Sequence, residues 1–274
     1  MTTIDTFIAK WAASGAAERA NAQLFVAELC TQLGVEAPQP KTPDESANAY
    51  VFEKTIPGAG GAKNFIDCYK RGHFVLEAKQ GADADESAAP LSEAGERRRA
   101  QRKSGHGRRG TAAWDTAMEK ARKQAENYAR RLPHEEIADG GRPPFLMVVD
   151  VGHSIALYAD WSRAGGHYIP FPDPQQYRIH LDGLRDETVC ERLRLVWTDP
   201  LALDPSRRSA RVTRQIADRL ARLARSLESA YGGDPVGAER VSGFLMRCLF
   251  TMFAEDVGLL PEGGFTRLLD ATRQ

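Results

Sequence analysis

Asp67, Glu77 and Lys79 are the residues of this 274-residue sequence whose types and spacing could carry chemistry. They lie in Asn64-Phe-Ile-Asp67-Cys-Tyr-Lys-Arg-Gly-His-Phe-Val-Leu-Glu77-Ala-Lys79, an acid followed after nine residues by Glu-x-Lys. If the two apolar runs pair as a hairpin across Arg71-Gly72-His73, Lys70 falls opposite Phe74 and Asp67 opposite Glu77. Side chains alternate along a strand, so Glu77 and Lys79 share one face while Phe74, Leu76 and Ala78 turn into the core. Two carboxylates facing one another across strands repel. A divalent cation removes that objection, because Mg²⁺ takes hard oxygen ligands, and the Ala78 carbonyl is placed to add one. Lys79 beside the cation would orient and activate a water and offset charge growing on a phosphorus-centred transition state. The plainer reading is a solvated Glu-x-Lys strip with an Asp at a loose distance. Three neighbours favour the chemical one. The strand is apolar on its other side, an Asp-bearing strand precedes it across a tight turn, and a helix carrying Gln124-x-x-x-Tyr128 follows it, with those two residues one turn apart.

The elements that must position these residues read as follows. Phe7, Ile8 and Trp11, then Leu24, Phe25, Ala27 and Leu29, recur at helical spacing, and Gly34 stops the second run. Pro38–Pro43 is a linker. Strands are expected over Tyr50–Ile56, Asn64–Tyr69 and His73–Lys79, with Pro57-Gly-Ala-Gly-Gly61 as a hairpin turn. That turn lacks the order of a phosphate-binding loop and no helix follows it. Residues 81–110 are polar and Arg-rich without periodicity, and are expected to be a mobile basic loop. A helix from Thr111 to Arg131 precedes Pro133. Strands are expected at Phe145–Val151, Ser154–Trp161 and Tyr177–Leu181. Beyond Asp199-Pro200 the pattern is helical, over 206–230 and Val241–Phe253.

The composition is that of a folded chain: 42% hydrophobic and 27% charged, with Lys plus Arg equal to Asp plus Glu at 37 each. The neutral total conceals a dipolar layout. Residues 1–90 hold eight basic and twelve acidic side chains, whereas 91–131 hold twelve basic and five acidic. Four cysteines, Cys30, Cys68, Cys190 and Cys248, are far apart and form no C-x-x-C pair, a spacing poor for a zinc site and too sparse for a disulfide framework. The start carries no secretory pattern and no stretch approaches the ~20 apolar residues of a membrane span, so a cytoplasmic, membrane-free protein is expected.

The order strand-Asp67, strand-Glu77-x-Lys79, helix with Gln124-x-x-x-Tyr128 resembles the PD-(D/E)xK nuclease superfamily, RecB-like branch. Taken with Tyr50-Val-Phe-Glu53, Phe145-Leu-Met-Val-Val-Asp150 and Gly243-Phe-Leu-Met-Arg-Cys-Leu-Phe-Thr-Met-Phe-Ala-Glu-Asp-Val-Gly-Leu-Leu-Pro261, the chain is similar throughout to the N-terminal part of MmeI-type (type IIL) restriction-modification enzymes. The resemblance implies an α/β fold. A restriction-endonuclease-like mixed sheet flanked by helices would cover 1–185, a connector 186–205, and an all-helical spacer segment 206–274. It implies a Mg²⁺-dependent DNA endonuclease, with Mn²⁺ substituting, in which Asp67, Glu77 and the Ala78 carbonyl hold the metal and Lys79 is catalytic. Double-stranded DNA is the implied partner, cut by a transient homodimer. Such enzymes continue into a methyltransferase with an S-adenosylmethionine loop and an Asn-Pro-Pro-Tyr motif, then a target-recognition domain. Neither motif occurs here, so the chain is expected to be a fragment, a truncated gene product or an excised piece. It would not bind S-adenosylmethionine, and its methyltransferase part would lie in cis or in trans.

Further candidates carry two readings each. Glu53 could assist the metal or be a strand-face carboxylate, and Glu18 is the weaker of the two as a ligand. Gln124 and Tyr128 could touch DNA, buttress the site or simply pack. Arg97, Arg98, Arg99, Arg102, Lys103, Arg108 and Arg109 could attract phosphates beside the metal, or form a solvated loop. The six histidines show no metal spacing. A nuclease fold kept as a non-catalytic DNA-binding scaffold, and an inactive remnant, remain the alternatives.

Overall fold

The computed structural model describes residues 3–14, 18–81, 108–137, 140–230, 235–261 and 263–272. The chain divides into two compact units, residues 1–204 and 205–274.

The first unit opens with helices α1 (Ile4–Ala12) and α2 (Glu18–Leu33). Thr3 caps α1 by accepting from the Thr6 amide, and Phe7, Ile8 and Trp11 form its buried stripe. Strands β1 (Tyr50–Pro57), β2 (Lys63–Lys70) and β3 (Phe74–Lys79) form an antiparallel meander. Helix α3 (Ala112–Arg130) then crosses over, as a parallel connection requires, and delivers β4 (Phe145–Asp150) parallel to β3. β5 (Ser154–Ala159) returns antiparallel and carries two short strands, β6 (Ile169–Pro170) and β7 (Arg178–His180), on its far edge. The result is a mixed seven-stranded sheet in the order β1-β2-β3-β4-β5-β6, with β7 also on β5. The expected α/β class and the mixed sheet between helices are both observed. β6 is an addition to the expected strands.

Each face of the sheet is covered. On one, α1, α2 and a helix α4 (Glu187–Thr198) bury Phe25, Leu29, Phe74, Leu76, Phe145, Met147 and Trp197. On the other, α3 lies close to the sheet because its inner stripe, Ala117, Ala121, Ala125 and Ala129, is alanine. Thr111 caps α3 through the Trp114 amide.

The sequence-expected connector 186–205 is not a linker. Asp186 caps α4 by accepting from the Thr188 amide. Leu193, Val196 and Trp197 are fully buried, and the Trp197 indole donates to the Tyr50 hydroxyl at 2.8 Å. The first unit therefore closes at Asp204 and not at 185. The second unit consists of helices α5 (Pro205–Ala230), α6 (Pro235–Asp256) and α7 (Gly264–Ala271), the helical segment expected there. Among the described residues no helix is long and apolar enough to cross a membrane.

Candidate active site

The β2–β3 hairpin turns where the sequence places it, with Lys70 opposite Phe74, Tyr69 opposite Val75 and Cys68 opposite Leu76. The next step would pair Asp67 with Glu77, and there the ladder stops. The cause lies in both outer strands. In the β1–β2 ladder Phe52 pairs with Cys68 and Lys54 with Ile66, so Glu53 and Asp67 are passed over. Glu53 has φ 52°, the left-handed region, which costs an L residue about 1–2 kcal/mol. Residues two apart on a regular strand share a face. Here Tyr50 and Cys68 belong to the core on the α2 side, and Ile56 and Ile66 to the core on the α3 side. Both strands change face at Glu53 and Asp67, while the register on either side stays one to one, so the break is symmetric and adds no extra residue.

The break frees the Asp67 side chain toward β3, where its Oδ2 accepts from the Ala78 amide at 2.8 Å. In a strand the N–H and C=O of one residue point to the same edge, so the Ala78 carbonyl also faces β2. Glu77, 1% exposed, follows Val75 on the α3 face, and the Lys79 ammonium donates to its Oε1 at 2.6 Å. Above them on α3, Gln124 donates to the Tyr128 hydroxyl at 2.9 Å. Burial, and next the negative field of Glu77, push the Tyr128 phenol above its ordinary value. Between α2 and the sheet a cavity of about 280 Å³ is lined by Gln23, Phe52, Glu53, Asp67, Ala78 and Lys79. Asp67, Lys79 and Glu53 thus meet at one opening, while Glu77 approaches from the α3 side. Glu18 opens α2, and its side chain lies outside those described.

Two carboxylates and a main-chain carbonyl on neighbouring strands are hard oxygen donors, the set that suits a small divalent cation. Among the described residues no three His, Cys, Asp or Glu side chains converge to cage an ion. Mg²⁺ does not need such a cage, because it commonly keeps waters and binds through one or two carboxylates plus substrate oxygens.

Asp150, which the sequence reading passed over, ends β4 opposite Lys79 and is wholly buried. Its Oδ1 accepts from the Gly81 amide at 2.9 Å and from Arg109 Nη2 at 3.0 Å. Its Oδ2 accepts from Arg109 Nε at 3.0 Å and the Trp114 indole at 2.8 Å. The expectation that Arg109 contacts phosphates is therefore corrected: its guanidinium faces inward to neutralise a buried charge, 8% exposed. An Asp closing the fully apolar run Phe145–Val149 was the available signal, since a buried carboxylate demands a cation or donors. Arg108 is exposed at the same place. Arg97, Arg98, Arg99, Arg102 and Lys103, with the expected loop character of 82–107, lie outside the described residues.

A second buried ionic group stands behind β1. Lys54 Nζ meets Glu136 Oε1 at 2.6 Å, and the same carboxylate accepts from the Tyr69 hydroxyl at 2.9 Å and from Arg71. Burial alone would raise the Glu136 carboxyl, but the hydrogen bonds from Arg71, Lys54 and Tyr69 outweigh it and hold the carboxyl below its ordinary value.

Among protein families, the model described as MmeI, N-terminal domain, matches residues 1–230, and the one described as MmeI, helicase spacer domain, matches residues 239–274. No curated protein and no solved structure matches the chain.

Proposed function

The chain belongs to the MmeI N-terminal domain family, and from that premise we propose that this part of a restriction-modification enzyme is its metal-dependent DNA endonuclease. The observation that supports the reading best is the ladder break that brings the Asp67 carboxylate onto β3 at Ala78, between Glu77 and Lys79. Asp67, Glu77 and the Ala78 carbonyl would hold Mg²⁺, with Mn²⁺ as a substitute. Such a cation lowers the pKa of a bound water and neutralises charge developing on a phosphoryl oxygen. Lys79 orients the water for in-line attack on the phosphodiester and offsets the charge that grows there. Tyr128, fixed by Gln124, buttresses the Glu77 side of the site. One such site cuts one strand, so double-strand cleavage of DNA calls for a second copy in a transient homodimer. Methylation with S-adenosylmethionine belongs to a methyltransferase part in cis or in trans.

The test is plasmid nicking with Mg²⁺, with Mn²⁺ and with EDTA. Asp67→Ala and Lys79→Ala are expected to lose about 10²-fold or more, the scale of removing one transition-state contact. Lys79→Ala also takes the ammonium from buried Glu77 and is destabilised, so both variants are assayed well below their own melting temperatures. Nicking by the variants at the wild-type rate sinks the assignment. The alternative outcome is a DNA-binding scaffold without catalysis. Salt-dependent DNA affinity without Mg²⁺-dependent cleavage would establish it.

A further inference from the structure

The left-handed Glu53 peptide is held from outside the sheet. Among the described residues, only Glu53 and Arg163 have positive φ without being glycine. A backbone held in that region needs surrounding contacts to keep it there. At Glu53 Lys41 supplies one: its ammonium donates to the Glu53 carbonyl at 2.9 Å and to the Thr55 hydroxyl at 2.6 Å, and pairs with Glu45 at 2.9 Å. Three acceptors match the three donors of an ammonium. The segment bearing Lys41 is itself tied to the edge of β1, where the Gln39 amide donates to the Tyr50 carbonyl at 2.8 Å. On the inner side, Lys54 donates to the carbonyls of Glu45 and Asn48, so both lysines anchor the same short stretch before β1.

We infer that Lys41 is a positioning residue for the proposed metal site, acting through the main chain of Glu53; this rests on the nuclease reading. Holding that carbonyl keeps Glu53 left-handed. The left-handed turn opens the β1–β2 ladder at Glu53 and Asp67, and the open ladder lets the Asp67 carboxylate reach Ala78. Without the ammonium, Glu53 relaxes to extended backbone, the ladder closes, and Asp67 is drawn back from β3.

Glycine supplies the discriminating test, because it adopts positive φ without a steric penalty. Mn²⁺ binding by calorimetry and the Mg²⁺ dependence of plasmid nicking would be measured for wild type, Lys41→Met, Lys41→Arg, Glu53→Gly and the Lys41→Met/Glu53→Gly double variant. A parallel thermal melt would ensure that each is compared while folded. Lys41→Met is expected to weaken Mn²⁺ binding about 10-fold or more, the usual scale for residues that orient metal ligands, and Lys41→Arg to retain most of the affinity. In the glycine background, Lys41→Met should change affinity by less than about twofold, since the residue through which Lys41 acts no longer needs holding. An equal loss in both backgrounds, or no loss in either, overturns the inference and leaves the nuclease reading standing. Wild-type protein that neither binds Mn²⁺ nor nicks DNA overturns that reading, and this inference with it.

Discussion

Arg108 and Arg109 are adjacent, equally charged and oppositely employed. Arg109 neutralises Asp150 in the interior, whereas Arg108 is exposed. Removing one partner of a buried ion pair leaves an uncompensated charge, so Arg109→Ala is expected to lower stability by about 3–5 kcal/mol. Arg108→Ala should stay within about 0.5 kcal/mol of wild type in urea unfolding. If the two variants unfold alike, Arg109 is no structural cation. The loss should reach the site as well, because Asp150 also takes the Gly81 amide, and the Val151 amide donates to the Lys79 carbonyl at 2.8 Å. At this scale the sequence was legible where periodicity decides and opaque where a partner decides. The neighbouring places of Glu77 and Lys79 on one strand follow from a turn position and the two-residue repeat, whereas the departure of Asp67 from the ladder does not. Which arginine of a basic run turns inward depends on a carboxylate 41 positions later, and no local pattern carries that.

The strands themselves were readable from alternation and from the turns between them, but the break at Glu53 and Asp67 was not. A left-handed residue is usually marked by Gly or Asn, and β1 places Glu53 there, held by contacts from a lysine twelve residues earlier. β1 also rests on the Lys54–Glu136–Tyr69–Arg71 cluster, which makes that element pH-sensitive. The Glu136 carboxyl is depressed in the folded state. Its contribution is therefore fully present above the unfolded value, about 4.3, and is lost as pH falls through the lower folded value. Glu136→Gln, which strands Lys54 in the interior, should cost about 3–5 kcal/mol near neutral pH. Below about pH 4.3 wild-type stability should fall more steeply than that of the variant, so the two denaturation midpoints converge toward low pH. Parallel curves over that range would show that Glu136 is not the carboxylate being titrated.

At the scale of the whole chain, local pattern conceals the boundary, because residues 186–205 read as a connector before the change of character beyond Asp199-Pro200. The helix before it already carries the core spacing of Leu193, Val196 and Trp197, yet those side chains acquire meaning only against Tyr50 and Phe74, more than a hundred positions earlier. Trp197 packs against Phe74, the first residue of the strand that ends in Lys79, with ring centroids 4.8 Å apart and planes tilted by 55°. Residues 1–204 should therefore fold cooperatively without the remainder, while residues 1–185 should not. The shorter piece loses three fully buried large side chains, each worth about 2–5 kcal/mol, against a total stability of about 5–15 kcal/mol. Solubility should follow the same division. Apart from Leu24, Phe65 and Ile169, every exposed large apolar side chain among the described residues lies beyond Asp204, with Phe250 and Leu259 about three-quarters exposed. Circular dichroism melts of the two pieces, with sedimentation of the full chain, check both points. A 1–185 piece that melts cooperatively at the temperature of 1–204 would return the boundary to 185 and make α4 a true connector. Failure of that piece alone would mean that the sheet bearing Asp67, Glu77 and Lys79 depends on a helix more than a hundred residues after its last catalytic candidate.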